Sequence, residues 1–157
     1  MEIKYFNSNF DKITQNKDTD QSITNLIEKL PSLNIVSDKN LLEETIKISK
    51  QFKEKKEKII VFGTGGSNLG ARALNNIISN NKIILEFYDN VDPINFEKNF
   101  QNINFELTGF LVISKSGTTP ETLSQFSCLY QKAIEANKVE DFFSNTLIIT
   151  EFKDSPL

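Results

Sequence analysis

The sequence predicts an α/β fold in which a doubly wound parallel sheet follows N-terminal helices. Short, mainly apolar runs alternate with segments of helical spacing. They occupy residues 59–62, 83–88, 109–113 and 146–150, and the first of them is continuously apolar. Runs without polar alternation are typical of parallel strands that are buried on both faces. Strands that alternate with helices at this spacing pair in parallel, with helices on both faces of the sheet. The strand order that we expect is the flavodoxin-like order 2-1-3-4-5.

The N-terminal part of the chain is predicted to be an irregular arm followed by helices. Residues 1–20 are polar and aperiodic, which indicates an arm or short turns. Apolar residues recur at helical spacing over residues 22–30, and Pro31 is expected to end that helix. Ser37 or Asp38 is placed to cap a second helix. The inner and flanking positions of this second helix are expected to be Leu41, Leu42, Thr45, Ile46, Ile48, Ser49 and Phe52.

We divide the chain into an arm and helix at residues 1–37 and a sheet domain at residues 38–157. Within the domain, helical spacing predicts three helices. The first covers residues 67–79, the second is short and starts at Asp92 and Pro93, and the third runs from Pro120 to about residue 137. Four strands are fewer than a doubly wound domain usually has, so we expect the domain to be incomplete at its C-terminus. The residues of the first helix that are expected to face inward are Leu69, Ala73, Leu74, Ile77 and Ile78.

Composition argues against several classes of function. The net charge of −3 argues against the basic face that nucleic-acid binding needs. No apolar run is long enough for a signal peptide or a membrane span. The single cysteine, Cys128, allows no internal disulfide, so we expect a cytoplasmic protein. Histidine is absent, which excludes a His-based catalytic triad or zinc site in this chain. We expect neither a metal nor a cofactor, and we interpret the charge run at residues 53–58 as a solvated turn.

The first strand is followed by a glycine-rich loop, Gly63-Thr64-Gly65-Gly66-Ser67. Glycines there allow positive φ and a close approach of the backbone to a ligand. Ser67 stands where a helix N-cap is expected, so its hydroxyl either caps the helix or binds a ligand oxygen. A dinucleotide site is the competing interpretation, since Gly63 and Gly65 fit its fingerprint and Glu86 supplies the acidic residue. The third glycine of that fingerprint is replaced by Asn68.

The third strand is followed by a loop that is rich in hydroxyl groups. Gly117 supplies a tight bend, and Lys115 either contacts a ligand or points to solvent or a neighbouring element. Helix capping accounts for one or two hydroxyls, with Thr119 as the predicted N-cap, whereas hydroxyl and N–H donors together suit a phosphate. Five hydroxyls fall within nine residues, at Ser114, Ser116, Thr118, Thr119 and Thr122.

The two loops are expected to meet. In an open parallel sheet, ligands bind beyond the carboxyl ends of the strands at the point where the strand order reverses. The first and third strands flank that point in the expected order, and helix N-termini there present free N–H groups to anions. The sequence therefore predicts one phosphorylated ligand that is held from two sides.

The two loops resemble those of phosphoglucose isomerases, within the wider class of sugar-isomerase (SIS) domains. Residues 63–70, Gly-Thr-Gly-Gly-Ser-Asn-Leu-Gly, are similar to the first glycine loop of that family. Residues 114–122, Ser-Lys-Ser-Gly-Thr-Thr-Pro-Glu-Thr, are similar to its Ser-Lys-Thr-x-Thr-Thr-x-Glu-Thr segment, with Ser116 in place of the usual Thr. The resemblance covers about residues 38–157 and is strongest at the two loops.

The resemblance implies a site for the phosphate of glucose 6-phosphate or fructose 6-phosphate, which the family interconverts in glycolysis and gluconeogenesis. The family's catalytic Glu, His, Arg and Lys are expected beyond residue 157, so no catalytic residue is assigned here and the chain alone is expected to be inactive. The only arginine, Arg72, is expected to face solvent or flank the phosphate. The partners implied are the missing C-terminal part or a second copy, and the alternative is a stand-alone regulatory phosphosugar-binding module. The implied phosphate-binding residues are Gly66, Ser67, Ser114, Lys115, Ser116, Thr119 and Thr122.

Overall fold

The computed structural model describes residues 17–78 and 82–157. The chain divides between Ile46 and Lys47 into two compact units, which we describe separately. The predicted arm over residues 1–16 and the last residue of the helix predicted over residues 67–79 lie outside the described residues.

From residue 17 onwards, the first unit is helical. Asp38 is the cap of α3, because its Oδ1 accepts a hydrogen bond from the backbone N–H of Leu41 at 3.0 Å. The prediction of an irregular segment up to residue 20 is wrong for its last four residues, which belong to α1. Pro31 begins the next helix after a one-residue break, since the first helical position needs no N–H. The elements are α1 (Lys17–Lys29), α2 (Pro31–Asn34), a 3-10 turn (Ile35–Ser37) and α3 (Lys39–Phe52), which continues into the second unit.

The apolar side chains of α3 are not buried. Leu41, Leu42, Ile46 and Ile48 are exposed in the structure, and no residue of α3 counts as buried. The expectation that these positions face a core is therefore wrong. Helical spacing shows which face of a helix is apolar, but it does not supply a surface that covers this face.

The second unit contains a single four-stranded parallel sheet, and this confirms the predicted fold class. The strand order is β2-β1-β3-β4, in agreement with the expected flavodoxin-like order. Each strand begins and ends within one residue of its predicted bounds. The strands are β1 (Lys58–Phe62), β2 (Ile84–Tyr88), β3 (Thr108–Ile113) and β4 (Thr146–Ile149).

Four helices connect and follow the strands. The helix α7 was not predicted, because six residues are too few to show a helical period. The helix α6 begins at Pro120 as expected and ends two residues before the predicted bound of about residue 137. The four helices are α4 (Gly66–Ile77), α5 (Pro93–Phe100), α6 (Pro120–Glu135) and α7 (Val139–Ser144).

The core is rich in phenylalanine and lies on one face of the sheet. Alternate strand residues Ile60, Phe62, Phe110 and Val112 share this face, because side chains in a strand alternate between its two faces. Helices α5, α6 and α7 cover it with buried side chains, among them Phe142, which contacts Phe110 with ring centroids 5.2 Å apart. This packing holds β1 and β3 at the centre of the sheet.

Helix α4 departs from the prediction. Leu69, Ala73, Leu74 and Ile77 are exposed, and Ile77 keeps 76 % of its surface open to solvent. The only buried residue of α4 is the polar Asn68. The expected inward apolar face is therefore wrong, and what positions the start of α4 is a polar contact, described below.

Candidate functional site

The two predicted loops lie side by side because β1 and β3 are adjacent and parallel, with Phe62 opposite Val112. Gly63 follows β1 directly. A Cβ atom at Gly63 would stand 3.3 Å from the carbonyl oxygen of Ile113 and 3.2 Å from the Cβ of Ser67. The close approach of the two strand ends therefore needs a glycine here, and it brings both loops to one edge of the sheet.

The first loop turns through Gly65, which has a φ of +54° and occupies the N-cap position of α4. The prediction of Ser67 at the N-cap is wrong by two positions, because the glycine at positive φ lets the helix start earlier. Ser67 is half-buried in the first turn, and α4 has no side-chain capping hydrogen bond at its N-terminus among the residues described. The backbone N–H of Gly66 meets no acceptor within the described part of the chain. The start of α4 thus presents a free donor.

Asn68 ties α4 to the end of β1. Its side chain is fully buried, and its Nδ2 donates to the carbonyl oxygen of Gly63 at 3.0 Å. Its Oδ1 is buried without a hydrogen-bond partner among the described residues. Sequence reasoning saw in Asn68 only a missing glycine of the dinucleotide fingerprint. Its position six residues after the end of an apolar run, in the first turn of a helix, was the only signal of this contact.

In the second loop, Ser114 and Thr119 hold the loop closed. Their hydroxyl oxygens lie 2.8 Å apart, and the N–H of Gly117 donates to the Ser114 Oγ at 3.1 Å. Ser114 is almost fully buried. Thr119 occupies the predicted N-cap position of α6, but its hydroxyl makes no capping hydrogen bond. The Thr119 hydroxyl therefore pairs with Ser114 within the loop and does not cap α6.

Ser116 and Thr118 form a second pair in the same loop. The Thr118 hydroxyl donates to the Ser116 Oγ at 2.9 Å, and the Thr118 N–H donates to the same oxygen at 3.2 Å. Both residues are exposed. Gly117, between them, has a φ of +66°, in the left-handed region that favours glycine. The tight bend expected at this residue is present.

The side chain of Lys115 extends towards the segment after β4. Its Nζ lies 3.6 Å from the Glu151 Oε2, and the side chain is 85 % exposed. The backbone N–H of Glu151 donates to the Lys115 carbonyl oxygen at 3.0 Å, which fixes the two segments against each other. The side chain is thus both open to solvent and close to a neighbouring segment, and its contact with a ligand stays a prediction.

An open groove of about 510 Å³ lies where the two loops meet the segment after β4. Four of the seven implied phosphate-binding residues line it. Thr64 belongs to the glycine-rich loop but was not assigned to the site. Glu151 and Phe152 were not found from the sequence, because the contact of the segment after β4 with the loops is set by tertiary structure. The groove is lined by Thr64, Ser67, Lys115, Ser116, Thr119, Glu151 and Phe152.

The other three implied residues are placed differently. Gly66 is exposed in the first turn of α4. Ser114 lies behind Thr119, to which it is hydrogen-bonded. Thr122 is fully buried in α6, and its Oγ1 has no hydrogen-bond partner among the described residues. The three residues therefore flank or support the groove.

The chemistry of the groove is that of hydroxyl donors with one ammonium and one carboxylate. No group of His, Cys, Asp and Glu residues that could hold a metal ion occurs in the described ranges. Arg72 does not reach the groove lining, and its guanidinium pairs with Asp89 at 3.0 Å. Among the helices described, none is both long and apolar enough to cross a bilayer.

The strand order and the paired loops define the class of protein: a doubly wound α/β domain with a polar groove at the carboxyl edge of its central strands. The phosphoglucose isomerase family model matches residues 16–151. The chain therefore belongs to the phosphoglucose isomerase family.

Relatives and solved structures agree with this assignment. The chain is 34 % identical over 122 residues to a glucose-6-phosphate isomerase of Campylobacter jejuni, covering 75 % of this chain and 29 % of the relative. It is 38 % identical over 122 residues to one of Carboxydothermus hydrogenoformans, covering 69 % and 26 %. The crystal structure of a glucose-6-phosphate isomerase from Chlamydia trachomatis superposes with a TM-score of 0.63 at 25 % identity, covering 73 % of this chain and 23 % of that one. The chain thus spans less than a third of the length of these proteins.

Proposed function

We propose that this chain forms the part of a glucose-6-phosphate isomerase that binds the phosphate of glucose 6-phosphate or fructose 6-phosphate. The observation that carries the proposal is the groove between the two loops, which is lined by Ser67 from the first turn of α4 and by Ser116 and Thr119 from the second loop. Family membership supports the substrate class, because the relatives are named glucose-6-phosphate isomerase.

The groove suits an anion with several oxygens. Serine and threonine hydroxyls donate hydrogen bonds to phosphate oxygens, and the free N–H of Gly66 adds a backbone donor. Helices α4 and α6 both begin at this edge, at Gly66 and Pro120. Each helix N-terminus carries a partial positive charge, which favours an anion placed between the two.

Lys115 and Glu151 give the groove a switchable charge pair. The Nζ to Oε2 distance of 3.6 Å and the exposure of both side chains indicate a weak ion pair. A phosphate in the groove competes with Glu151 for the Lys115 ammonium, and it is repelled by the carboxylate. We therefore infer that Lys115 turns from Glu151 to the phosphate when the substrate binds.

Turnover is proposed to need groups outside this chain. The chain contains no histidine, and the groove offers only one ammonium and one carboxylate as titratable groups. We therefore propose that this chain holds the substrate, whereas the residues that open the ring and transfer the proton belong to the rest of the enzyme or to a second copy. The glycolytic reaction supports a cytoplasmic location.

Calorimetric titration of the 157-residue chain with glucose 6-phosphate, fructose 6-phosphate and NAD tests the proposal. We expect both sugar phosphates to bind and NAD not to bind. The double variant Ser67→Ala/Thr119→Ala should bind the sugar phosphates more weakly by about 1–3 kcal/mol, because two phosphate oxygens lose their donors. Thr118→Ala is the control for loop shape: its hydroxyl donates to the Ser116 Oγ but does not line the groove, so this variant should lose less affinity than the double variant.

Equal losses of affinity in the control and the double variant would show that the hydroxyls only shape the loop. Binding of NAD without any binding of sugar phosphate would support the dinucleotide interpretation instead. In a coupled assay, turnover that scales with the purified chain would contradict the proposal that catalysis needs groups from elsewhere.

A further inference from the structure

A second cleft, of about 810 Å³, lies at the opposite edge of the sheet from the groove. It is formed by the end of α3, the turn that follows and the segments that lead into β1 and β2, so it faces the amino ends of these strands. A strand of five residues is about 16 Å long, which separates the two sites by roughly that distance. The cleft is therefore independent of the groove proposed for the sugar phosphate.

Four lysines line this cleft: Lys50, Lys53, Lys56 and Lys82. The only carboxylate in its lining is that of Glu54. Lys56 reaches the carbonyl oxygen of Glu106 at 3.5 Å, whereas Lys50, Lys53 and Lys82 have no carboxylate partner within the ranges that the structure describes. Although the chain has a net charge of −3, four lysines face a single carboxylate in this cleft, which leaves an excess of positive charge.

The lysines of this cleft are not only the solvated turn that we expected at residues 53–58. Residues 53–58 alone were interpreted as a turn in solvent, but the fold adds Lys50 from the helix before them and Lys82 from the segment before β2. Like charges at one concave surface repel each other, and a bound anion removes this repulsion. The concavity and the charge together point to an anionic occupant.

The lysines flank an apolar floor. Ile59 is buried, and Ile83 and Leu85 are partly buried beside it. The volume lies in the range of small-molecule sites, whereas nucleic acids bind long, open basic surfaces. A chain of linked phosphates carries several negative charges, which match the four lysines of this cleft better than the charge of a single phosphate does. We propose that this cleft binds a small polyphosphate anion, either free or carried by a nucleotide.

Titration of the 157-residue chain with inorganic tripolyphosphate and with ATP, both at low salt and without divalent cations, tests the proposal. A charge at about 4 Å in a water-like medium changes affinity about fivefold, so Lys53→Ala/Lys82→Ala should weaken binding of tripolyphosphate about 25-fold. Glu54→Gln should tighten it, since the only opposing charge in the lining is removed. A gain of affinity cannot result from misfolding, so this variant keeps the test valid if the lysine variant is unstable.

Lys98→Ala is the matched control, because Lys98 is an exposed lysine on α5 outside the cleft. Its affinity should equal that of the parent chain. If ATP binds more tightly than tripolyphosphate, the nucleotide base contacts the apolar floor of the cleft. If tripolyphosphate binds more tightly, the ligand is free polyphosphate. Both outcomes support the site. Displacement of tripolyphosphate by glucose 6-phosphate, or equal losses in Lys98→Ala and the double variant, would overturn it.

Discussion

Replacing Gly117 by alanine tests how the second loop is held against the segment after β4. Gly117 has a φ of +66°, and a Cβ atom there would stand 2.2 Å from the Ser155 Cβ and 2.3 Å from its Oγ. Carbon atoms that are not bonded to each other do not approach this closely, so either the loop or the segment around Ser155 must move. The change therefore combines backbone strain with steric overlap.

The two contributions can be separated with Gly65→Ala. Gly65 also has positive φ, at +54°, but its added Cβ would meet nothing within 4 Å. Left-handed backbone costs an alanine about 1–2 kcal/mol, and this is the whole cost expected at Gly65. Overpacking adds about 1–3 kcal/mol, so Gly117→Ala should destabilise the chain by about 2–5 kcal/mol.

Urea unfolding followed by circular dichroism measures these free energies. A further variant, Gly117→Ala/Ser155→Gly, removes the overlapping atoms and leaves the Thr150 Oγ1 at 3.1 Å as the next contact. Its cost should fall towards that of Gly65→Ala after correction for Ser155→Gly alone. If Gly117→Ala costs no more than Gly65→Ala, or if the second change restores nothing, the packing of the loop against Ser155 is not as described.

Two further predictions concern the polar contacts that begin α4 and α5. Asn68→Ala should cost about 1–3 kcal/mol in urea unfolding, because the Gly63 carbonyl loses a buried donor, and an unchanged midpoint would contradict this. Hydrogen bonds from the backbone and side chain of Asn95, then from the Ile94 N–H, hold the pKa of Asp92 below its usual value. Because the pKa of Asp92 is lower in the folded than in the unfolded state, its carboxylate stabilises the fold above the unfolded-state pKa, and this stabilisation is lost as the pH falls through the folded-state pKa. Asp92→Asn should therefore reduce the dependence of the unfolding free energy on pH at the acid end. An unchanged dependence would contradict the capping role of Asp92.

Much of the fold could be predicted because the strands are determined locally. Four mainly apolar runs predicted the bounds of the strands to within one residue. The alternation of strands and helices predicted a parallel sheet, and the expected placement of β1 beside β3 was observed. The helices were predicted less well. The apolar faces of α3 and α4 were assigned to a core that the described residues do not provide, because amphipathicity shows only which side of a helix is apolar.

The candidate site divides in the same way. Ser67, Lys115, Ser116 and Thr119 line the groove, and their residue types marked them in the sequence. Glu151 could not be found, because it follows a different strand and reaches Lys115 only after β3 and β4 pair.

The sequence by itself determined that this is a parallel α/β domain whose two loops, rich in glycine and hydroxyls, follow neighbouring strands, since strand pattern and loop composition are properties of consecutive residues. Only the tertiary structure decided which hydroxyls face the groove. Ser114 and Thr119 are bonded to each other, and Thr122 is buried in α6. It also gathered Lys50 and Lys82 beside the lysines of the turn. Both outcomes depend on contacts between segments that are distant in the chain, and the spacing of residues along the sequence carries no measure of those distances.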